Sequence, residues 1–219
     1  MKLSENTMNV LKNFASINPS IVIKPGDILR TVSPQKNVMA IATGLDTFHG
    51  TAGIYDLSRF LATITLFEDP DLQFTDTSIQ LVENKRKVEY TLADISMIMQ
   101  PPDKELTMPE CEVSVKVSWS DLQAVLKAAS VLGLPEISIT GIDGNIVLET
   151  ANSKNPTTDR YGVTVGTTTE TFNFYMKVEN FKLLPNDYVA NLSSKGLSSF
   201  TSDNVKYFIA IESNSTFGE

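Results

Sequence analysis

An internal repeat constrains the fold of this chain more than any other feature. The segments DLSRFLATITLFEDPDLQFT, which begins at Asp56, and DLQAVLKAASVLGLPEISIT, which begins at Asp121, align without a gap at a separation of 65 residues. Both contain Asp-Leu, an apolar residue followed by Leu, a proline followed by an acid, and an alternating triplet that ends in Thr. Self-similarity of this kind predicts that the chain repeats one structural unit.

Two further copies extend the repeat to both ends of the chain. They are VLKNFASINPSIVI, from Val10, and YMKVENFKLLPNDYVANL, from Tyr175. A marker residue in the predicted helix recurs with spacings of 50, 65 and 50, at Leu11, Leu61, Leu126 and Met176. A proline recurs with spacings of 51, 65 and 50, at Pro19, Pro70, Pro135 and Pro185. A half-unit therefore recurs after about 50 residues and a whole unit after about 115, which predicts two similar domains.

The prolines of the central segment MQPPDKELTMPECE indicate where the two domains separate. Pro101, Pro102 and Pro109 disfavour regular strand pairing there. We therefore predict an N-terminal domain at 1–104, a connector at 105–112 and a C-terminal domain at 113–219.

Each half-unit is predicted to form a helix, then a proline, then a pair of strands. The stripe of Leu57, Phe60, Leu61 and Ile64 has the spacing of a helix that lies on a core, and Leu122, Val125, Leu126 and Ala129 repeat it. Asp56 and Asp121 fall at helix starts, and the spacing from Ser118 to Asp121 is that of a capping box. Beyond the prolines we expect strands at 72–74 with 79–81 and at 137–139 with 146–148, the latter pair joined by IDGN.

The composition indicates a globular protein and gives no sign of a cofactor site. Hydrophobic residues make up 42% of the chain, and no apolar run approaches the roughly 18 residues that span a membrane. The N-terminus lacks the apolar core of a signal peptide, so we expect residence in a cytosol. Cys111 is the only cysteine and His49 the only histidine, which excludes an internal disulfide and argues against a cysteine-based zinc site.

The few cations of this acidic chain recur at corresponding positions of the repeat. A net charge of −8 argues against a surface coated with phosphate-binding lysines, but not against a few cations gathered on one face. Lys12 and Lys127 correspond, Lys177 joins them when the fourth copy is aligned on its proline, and Arg59 is expected on the outer side of the second helix. No acid interrupts the cores of the second and third helices, at 57–66 and 122–134, so their outer faces suit loose phosphate contact without base recognition.

Two other classes of function remain open on these residues. An enzyme would have to use acids such as Asp69 with Asp71, or Asp143, but acids beside Pro or Gly more often form turns, and no GxxxxGK[ST], GxGxxG or HExxH is present. The expectation is therefore no enzymatic activity and no cofactor. A structural or virion protein built from duplicated β-rich domains, without DNA contact, fits the duplication equally well.

The chain resembles the sliding clamps of T4-type bacteriophages, which are processivity factors of DNA polymerase. The resemblance rests on MKLS with LKNFASIN near the N-terminus, IYDL at 54–57 followed by FL, TFNF at 171–174 and YFIAIESNST from Tyr207. It implies an α+β fold of two similar DNA-clamp domains, with four short helices packed on antiparallel sheets. It further implies a homotrimeric ring whose helices face a duplex at its centre.

The resemblance also implies partners and site residues. The residues that would face DNA are Lys12, Arg59, Lys127 and Lys177, followed by Lys182 and Lys2. The partners would be sequence-independent duplex DNA, DNA polymerase, an ATP-driven clamp loader and late-transcription factors, in the cytoplasm of the infected bacterial host. A partner peptide would dock at Leu106, Met108 and Pro109, with Phe217. Strands at 87–92 and 160–165 are expected to lie at sheet edges and to take part in the subunit interface.

Overall fold

The chain forms two compact units of antiparallel sheets and short helices. The computed structural model describes residues 1–102, 104, 106–155 and 157–218. The units comprise residues 1–104 and 105–219. Glu105, the first residue of the predicted connector, lies outside the described residues, and the assignment of 105–112 as a connector stays a prediction.

Unit 1, residues 1–104, contains two helices among its described residues. In chain order its elements are α1 (Glu5–Ile17), β1 (Ile21–Ile23), β2 (Leu29–Val32), β3 (Val38–Ala42), β4 (Ala52–Ile54), α2 (Leu57–Ile64), β5 (Asp71–Phe74), β6 (Ser78–Glu83), β7 (Arg86–Thr91) and a 3-10 turn (Ile95–Met97). Strand β1 pairs with β4, β2 pairs with β3, and β5, β6 and β7 form a sheet in that order, all antiparallel. Helices α1 and α2 contact each other.

Unit 2, residues 105–219, contains one α-helix among its described residues. Its elements are β8 (Val113–Val117), α3 (Trp119–Leu132), β9 (Glu136–Ile142), β10 (Asn145–Ala151), β11 (Gly162–Thr167), β12 (Phe172–Lys177), a 3-10 turn (Val178–Asn180), β13 (Tyr188–Ser193), β14 (Leu197–Thr201), β15 (Val205–Ala210) and β16 (Thr216–Phe217). One sheet has the order β11-β10-β9-β12-β16, and β8, β13, β14 and β15 lie side by side in that order. Helix α3 packs against β9, β10 and β11.

The predicted helix stripes lie against the core. On α2, all four stripe residues are buried. On α3, Leu122, Val125 and Ala129 are buried, whereas Leu126 is partly exposed. Ser118 caps α3, since its hydroxyl accepts a hydrogen bond from the Asp121 amide at 3.1 Å.

The predicted strand pairs are confirmed, including their turn. Leu72 pairs with Leu81 in β5 and β6, and Leu148 pairs with Ile139 in β10 and β9. In the IDGN turn, both central residues have positive φ, 51° at Asp143 and 81° at Gly144. This is the backbone that a tight two-residue hairpin requires, and Asp and Gly adopt it readily.

The predicted fourth helix is wrong. The segment from Tyr175 continues strand β12 and then makes only one 3-10 turn at Val178–Asn180. The reason is the alternation of Phe172, Phe174 and Met176, which are all buried and have the period of a strand. Strand β12 pairs with β9 through this segment, so the described residues contain three α-helices rather than four.

Candidate nucleic-acid interface

Lys12 and Lys127 lie on the solvent side of α1 and α3. Lys12 is exposed while its neighbours Leu11 and Phe14 are fully buried, and Lys127 is exposed while Val125 is fully buried. Neither lysine forms an ion pair within the part of the chain that the structure describes. Both ammonium groups are therefore available to an anionic ligand.

Arg59 occupies the solvent side of α2. Its side chain is exposed, and its backbone amide donates to Asp56 Oδ1 at 2.8 Å, which caps the helix. The Arg59 charge also lies close enough to Tyr90 to oppose the rise that burial and Asp56 cause in the pKa of Tyr90. Arg59 is thus an exposed cation beside one capping carboxylate.

Acidic side chains are confined to the first turns of the helices. The three helices contain only Glu5, in the first turn of α1, and Asp121, in the first turn of α3. A carboxylate is stabilised there by the unpaired amides and the helix dipole. The rest of each outer face is uncharged apart from its one cation; it is polar at Asn9 and Gln123 and apolar at Val131, near the end of α3. Such a face attracts phosphates weakly and without sequence preference.

The repeat predicted that Lys177 would lie on a helix, but in the structure it does not. It is exposed at the end of β12, directly opposite Glu136 on β9. It shares a surface cleft of about 570 Å³ with residues that include Lys154, Glu179 and Glu212. The structure therefore surrounds this cation with acids, unlike Lys12 and Lys127, and its role toward DNA stays a prediction.

Lys2 and Lys182 also differ from the helical cations. The ammonium group of Lys2 donates to Asp69, and this hydrogen bond raises the pKa of Lys2. Lys182 follows the 3-10 turn, is exposed, and donates its backbone amide to the Asn180 carbonyl at 2.9 Å. The partner of Lys2 lies 67 residues away in the sequence. Sequence reasoning had no local signal for that pairing.

Comparisons with known proteins agree with the fold. The family described as gp45 sliding clamp, C terminal, matches residues 113–213. The sliding clamp of Escherichia phage RB69 is 32% identical over 99% of this chain and 99% of its own, and that of Enterobacteria phage T4 is 30% identical over the same shares. The chain belongs to the sliding-clamp family. Among solved structures, A. fulgidus PCNA bound to the C-terminal region of FEN-1 has the same fold, with a TM-score of 0.73 and 13% identity over 99% of this chain and 100% of that one.

In this sliding clamp, the residues predicted to hold a partner peptide lie in two places. Leu106, Met108 and Pro109 are partly buried in the segment that leads to β8, and the Cys111 thiol donates to the Pro109 carbonyl at 3.2 Å. Burial raises the pKa of Cys111, which keeps it a neutral thiol. Phe217, in β16, stacks on the rings of Phe172 and Phe174 at centroid distances of 6.1 and 6.4 Å. A single pocket formed by the segment 106–109 and Phe217 stays a prediction.

A cleft in unit 1 was missed by the sequence analysis. It has a volume of about 880 Å³ and lies between residues of the segments 49–53, 72–76 and 92–95, which include parts of β4 and β5. We call it the N-terminal cleft. The stretch DTFHGTAG around His49 is typical of a turn and does not indicate a cleft, because the close approach of Gly53 to residue 93 is a tertiary feature without a local signal.

The described residues also bear on metal binding and membranes. They include no group of three or more His, Cys, Asp and Glu side chains placed to hold a metal ion. None of the helices built from them is long and apolar enough to cross a membrane.

Proposed function

We propose that three copies of this chain close into a ring around duplex DNA and tether the replicative DNA polymerase for processive synthesis. The ring itself is not an enzyme and is loaded by an ATP-driven clamp loader in the cytoplasm of the infected bacterial host. The observation that carries this proposal is the exposed cation on each of three helices, at Lys12, Arg59 and Lys127, in a member of the sliding-clamp family.

An acidic protein could bind a polyanionic ligand if its cations were gathered on one surface and its acids lay elsewhere. A trimer would carry three times −8, or −24, and would repel DNA from most of its surface. The helical faces, with cations and few acids, would be the exception. Weak contacts to phosphates there would permit sliding, so that closure of the ring rather than affinity would retain the DNA.

Two sheet edges are suited to ring closure. Strands β7 and β11 lie at the edges of their sheets, in unit 1 and unit 2 respectively, as the sequence had predicted for 87–92 and 160–165. An unpaired edge exposes amide and carbonyl groups to a further strand. Pairing β7 of one copy with β11 of the next would satisfy both edges and would give each copy one head and one tail, which is what a closed ring requires.

The partners would dock away from the DNA. We place the docking site for the polymerase, the clamp loader and late-transcription factors at Leu106, Met108 and Pro109, with Phe217 as a further candidate. The partly exposed apolar side chains of this segment support that choice. The A. fulgidus PCNA structure, in which the ligand of a protein of this fold is the C-terminal region of FEN-1, supports a peptide segment as the ligand. Lys177, Lys182 and Lys2 would contribute only long-range attraction to DNA.

Replacing the helical cations tests the proposal. The triple variant Lys12→Glu, Arg59→Glu and Lys127→Glu should reduce loading onto DNA and polymerase processivity at least about tenfold, because it reverses the sign of every helical face. The mass in solution should remain that of the unmodified trimer. A matched control reverses three exposed cations outside the helices, at Lys36, Lys154 and Lys195.

The outcomes separate the proposal from its alternative. If the control variant loses as much processivity as the helical variant, the charge effect is general and the helices do not face DNA. If neither variant changes synthesis, a structural protein without DNA contact would be the better account.

A further inference from the structure

The N-terminal cleft has walls held in place by two close approaches of glycine. A Cβ atom on Gly53 would come within 2.5 Å of the Ala93 carbonyl oxygen, and one on Gly50 would lie 3.0 Å from Phe74 Cβ. The Ala93 amide also donates to the Gly53 carbonyl at 2.9 Å. Because only glycine permits this packing, the segment 92–95 is fastened to β4 and the cleft is formed before any ligand arrives.

The lining of the cleft is mixed and includes an apolar part. Leu72 is almost fully buried, Phe74 and Leu92 are partly buried, and Ile95 is 43% exposed at its mouth. The Phe74 ring packs edge-to-face on Phe48 with a centroid distance of 6.3 Å. Part of this apolar surface is open to water. Binding of an apolar side chain that covers it would therefore be favourable.

The rim of the cleft is acidic. Asp76 and Asp94 line it and are exposed, and its lining contains no lysine or arginine. The Asp94 carboxylate accepts a hydrogen bond from the Ser96 amide at 2.8 Å, which lowers the pKa of Asp94. Asp76 forms no ion pair within the described part of the chain. An apolar patch between two carboxylates is complementary to an apolar anchor that carries cations beside it.

We propose that the N-terminal cleft is a docking site for a short peptide segment with a large apolar anchor residue flanked by lysine or arginine. The anchor would cover Phe74, Leu92 and Ile95, and the flanking cations would meet Asp76 and Asp94. This site is separate from the peptide site proposed at 106–109, and its occupancy does not depend on DNA. A ring so equipped would hold two classes of partner through different surfaces.

Binding of a defined probe to the full chain tests the inference. The probe is a fluorescein-labelled hexapeptide with a Leu-Phe centre and two lysines on each side, followed by fluorescence anisotropy. A second probe has the same centre between glutamates and should bind at least about tenfold more weakly. Asp76→Asn with Asp94→Asn should weaken the lysine probe roughly two- to thirtyfold, since each exposed charge pair contributes about 0.2 to 1 kcal/mol. Asn at position 94 can still cap the 3-10 turn.

Matched controls come from unit 2. Asp143→Asn with Asp203→Asn removes two exposed acids elsewhere and should leave binding of the lysine probe within about twofold. Ile95→Ser should weaken binding severalfold, whereas Ile142→Ser, which alters a side chain that is 52% exposed, should not.

Several results would overturn the inference, and none of them depends on loading onto DNA. They are absence of probe binding at millimolar peptide, equal binding of both probes, and equal losses in the cleft and control variants. A fourth is a fall in oligomer mass in the Asp76→Asn, Asp94→Asn or Ile95→Ser variants, which would assign the cleft to a second copy of this chain.

Discussion

The second halves of the two units form different elements, although each places its proline about 50 residues after the proline of the first half. In unit 1, the residues before Pro70 form α2, whose buried side chains recur with the period of a helix. In unit 2, the residues before Pro185 form β12 and a single 3-10 turn, because Phe174 and Met176 alternate with the period of a strand. A repeated spacing therefore predicts where an element stands, and the local hydrophobic period decides what the element is.

The difference has a consequence for the charges. Unit 1 presents helical cations at Lys12 and Arg59, whereas unit 2 presents one at Lys127. The position equivalent to Arg59 in the fourth copy has no helix to hold it. The contact of each copy with DNA would therefore rest more on unit 1 than on unit 2.

The largest expected effect comes from breaking the strand that replaces the fourth helix. Phe174→Ala should lower the free energy of unfolding by about 3–5 kcal/mol, because a fully buried ring leaves a cavity in the core. Lys177→Ala, at the exposed end of the same strand, should change it by no more than about 0.5 kcal/mol. Denaturant unfolding monitored by circular dichroism measures both. A small loss at Phe174 would contradict the alternation of β12.

A second expected difference between the units lies at alkaline pH. In unit 2, burial raises the pKa of Tyr188 and of Tyr207 above the usual value of about 10. Both tyrosines are neutral when folded, so their stabilisation is complete below pH 10 and is lost as the pH rises beyond it. Above pH 10, and until the pKa of the folded state is reached, each buried tyrosine lowers the free energy of unfolding by about 1.4 kcal/mol per pH unit.

Hydrogen exchange resolved by peptide should therefore show unit 2 opening before unit 1 above pH 10. Tyr207→Phe should move that opening to higher pH, because it removes one of the two buried hydroxyls. The variant also removes the acceptor of the Leu184 amide, which donates to the Tyr207 hydroxyl at 3.2 Å. Tyr161→Phe, which alters a partly exposed ring, is the control. Earlier opening of unit 1 would show that Tyr90, which is only partly buried, controls alkaline unfolding instead.

Much of the fold could be predicted because its signals are local. The α2 stripe, the Ser118 cap and the IDGN turn each depend on residues a few positions apart, and the structure has all three. The site was less predictable because its deciding contacts are not local. Lys2 meets Asp69, and Gly53 meets Ala93, across long stretches of sequence. The Met176 marker misled because Met is a good helix former, whereas the alternation with Phe172 and Phe174 decides for a strand.

The smallest expected effect is the difference in processivity between a charge reversal on α2 and one at the end of β12. Arg59→Glu should reduce processivity severalfold, whereas Lys177→Glu should reduce it by about twofold or less, because Lys177 lies among acids at a strand end. Primer extension at two salt concentrations measures both, since each lost phosphate contact lowers the salt dependence of binding. Equal losses would mean that the strand end of unit 2 faces DNA as closely as α2 does.

Retention on closed circular DNA is the most direct test of ring closure around a duplex. Protein loaded onto a closed circle and freed of unbound material should stay with the DNA at moderate salt, at the mass of a trimer. Cutting the circle once should release it, because a ring held by topology leaves when an end appears. Retention that is unchanged by the cut would show binding by affinity, and the account of a sliding ring would then be wrong.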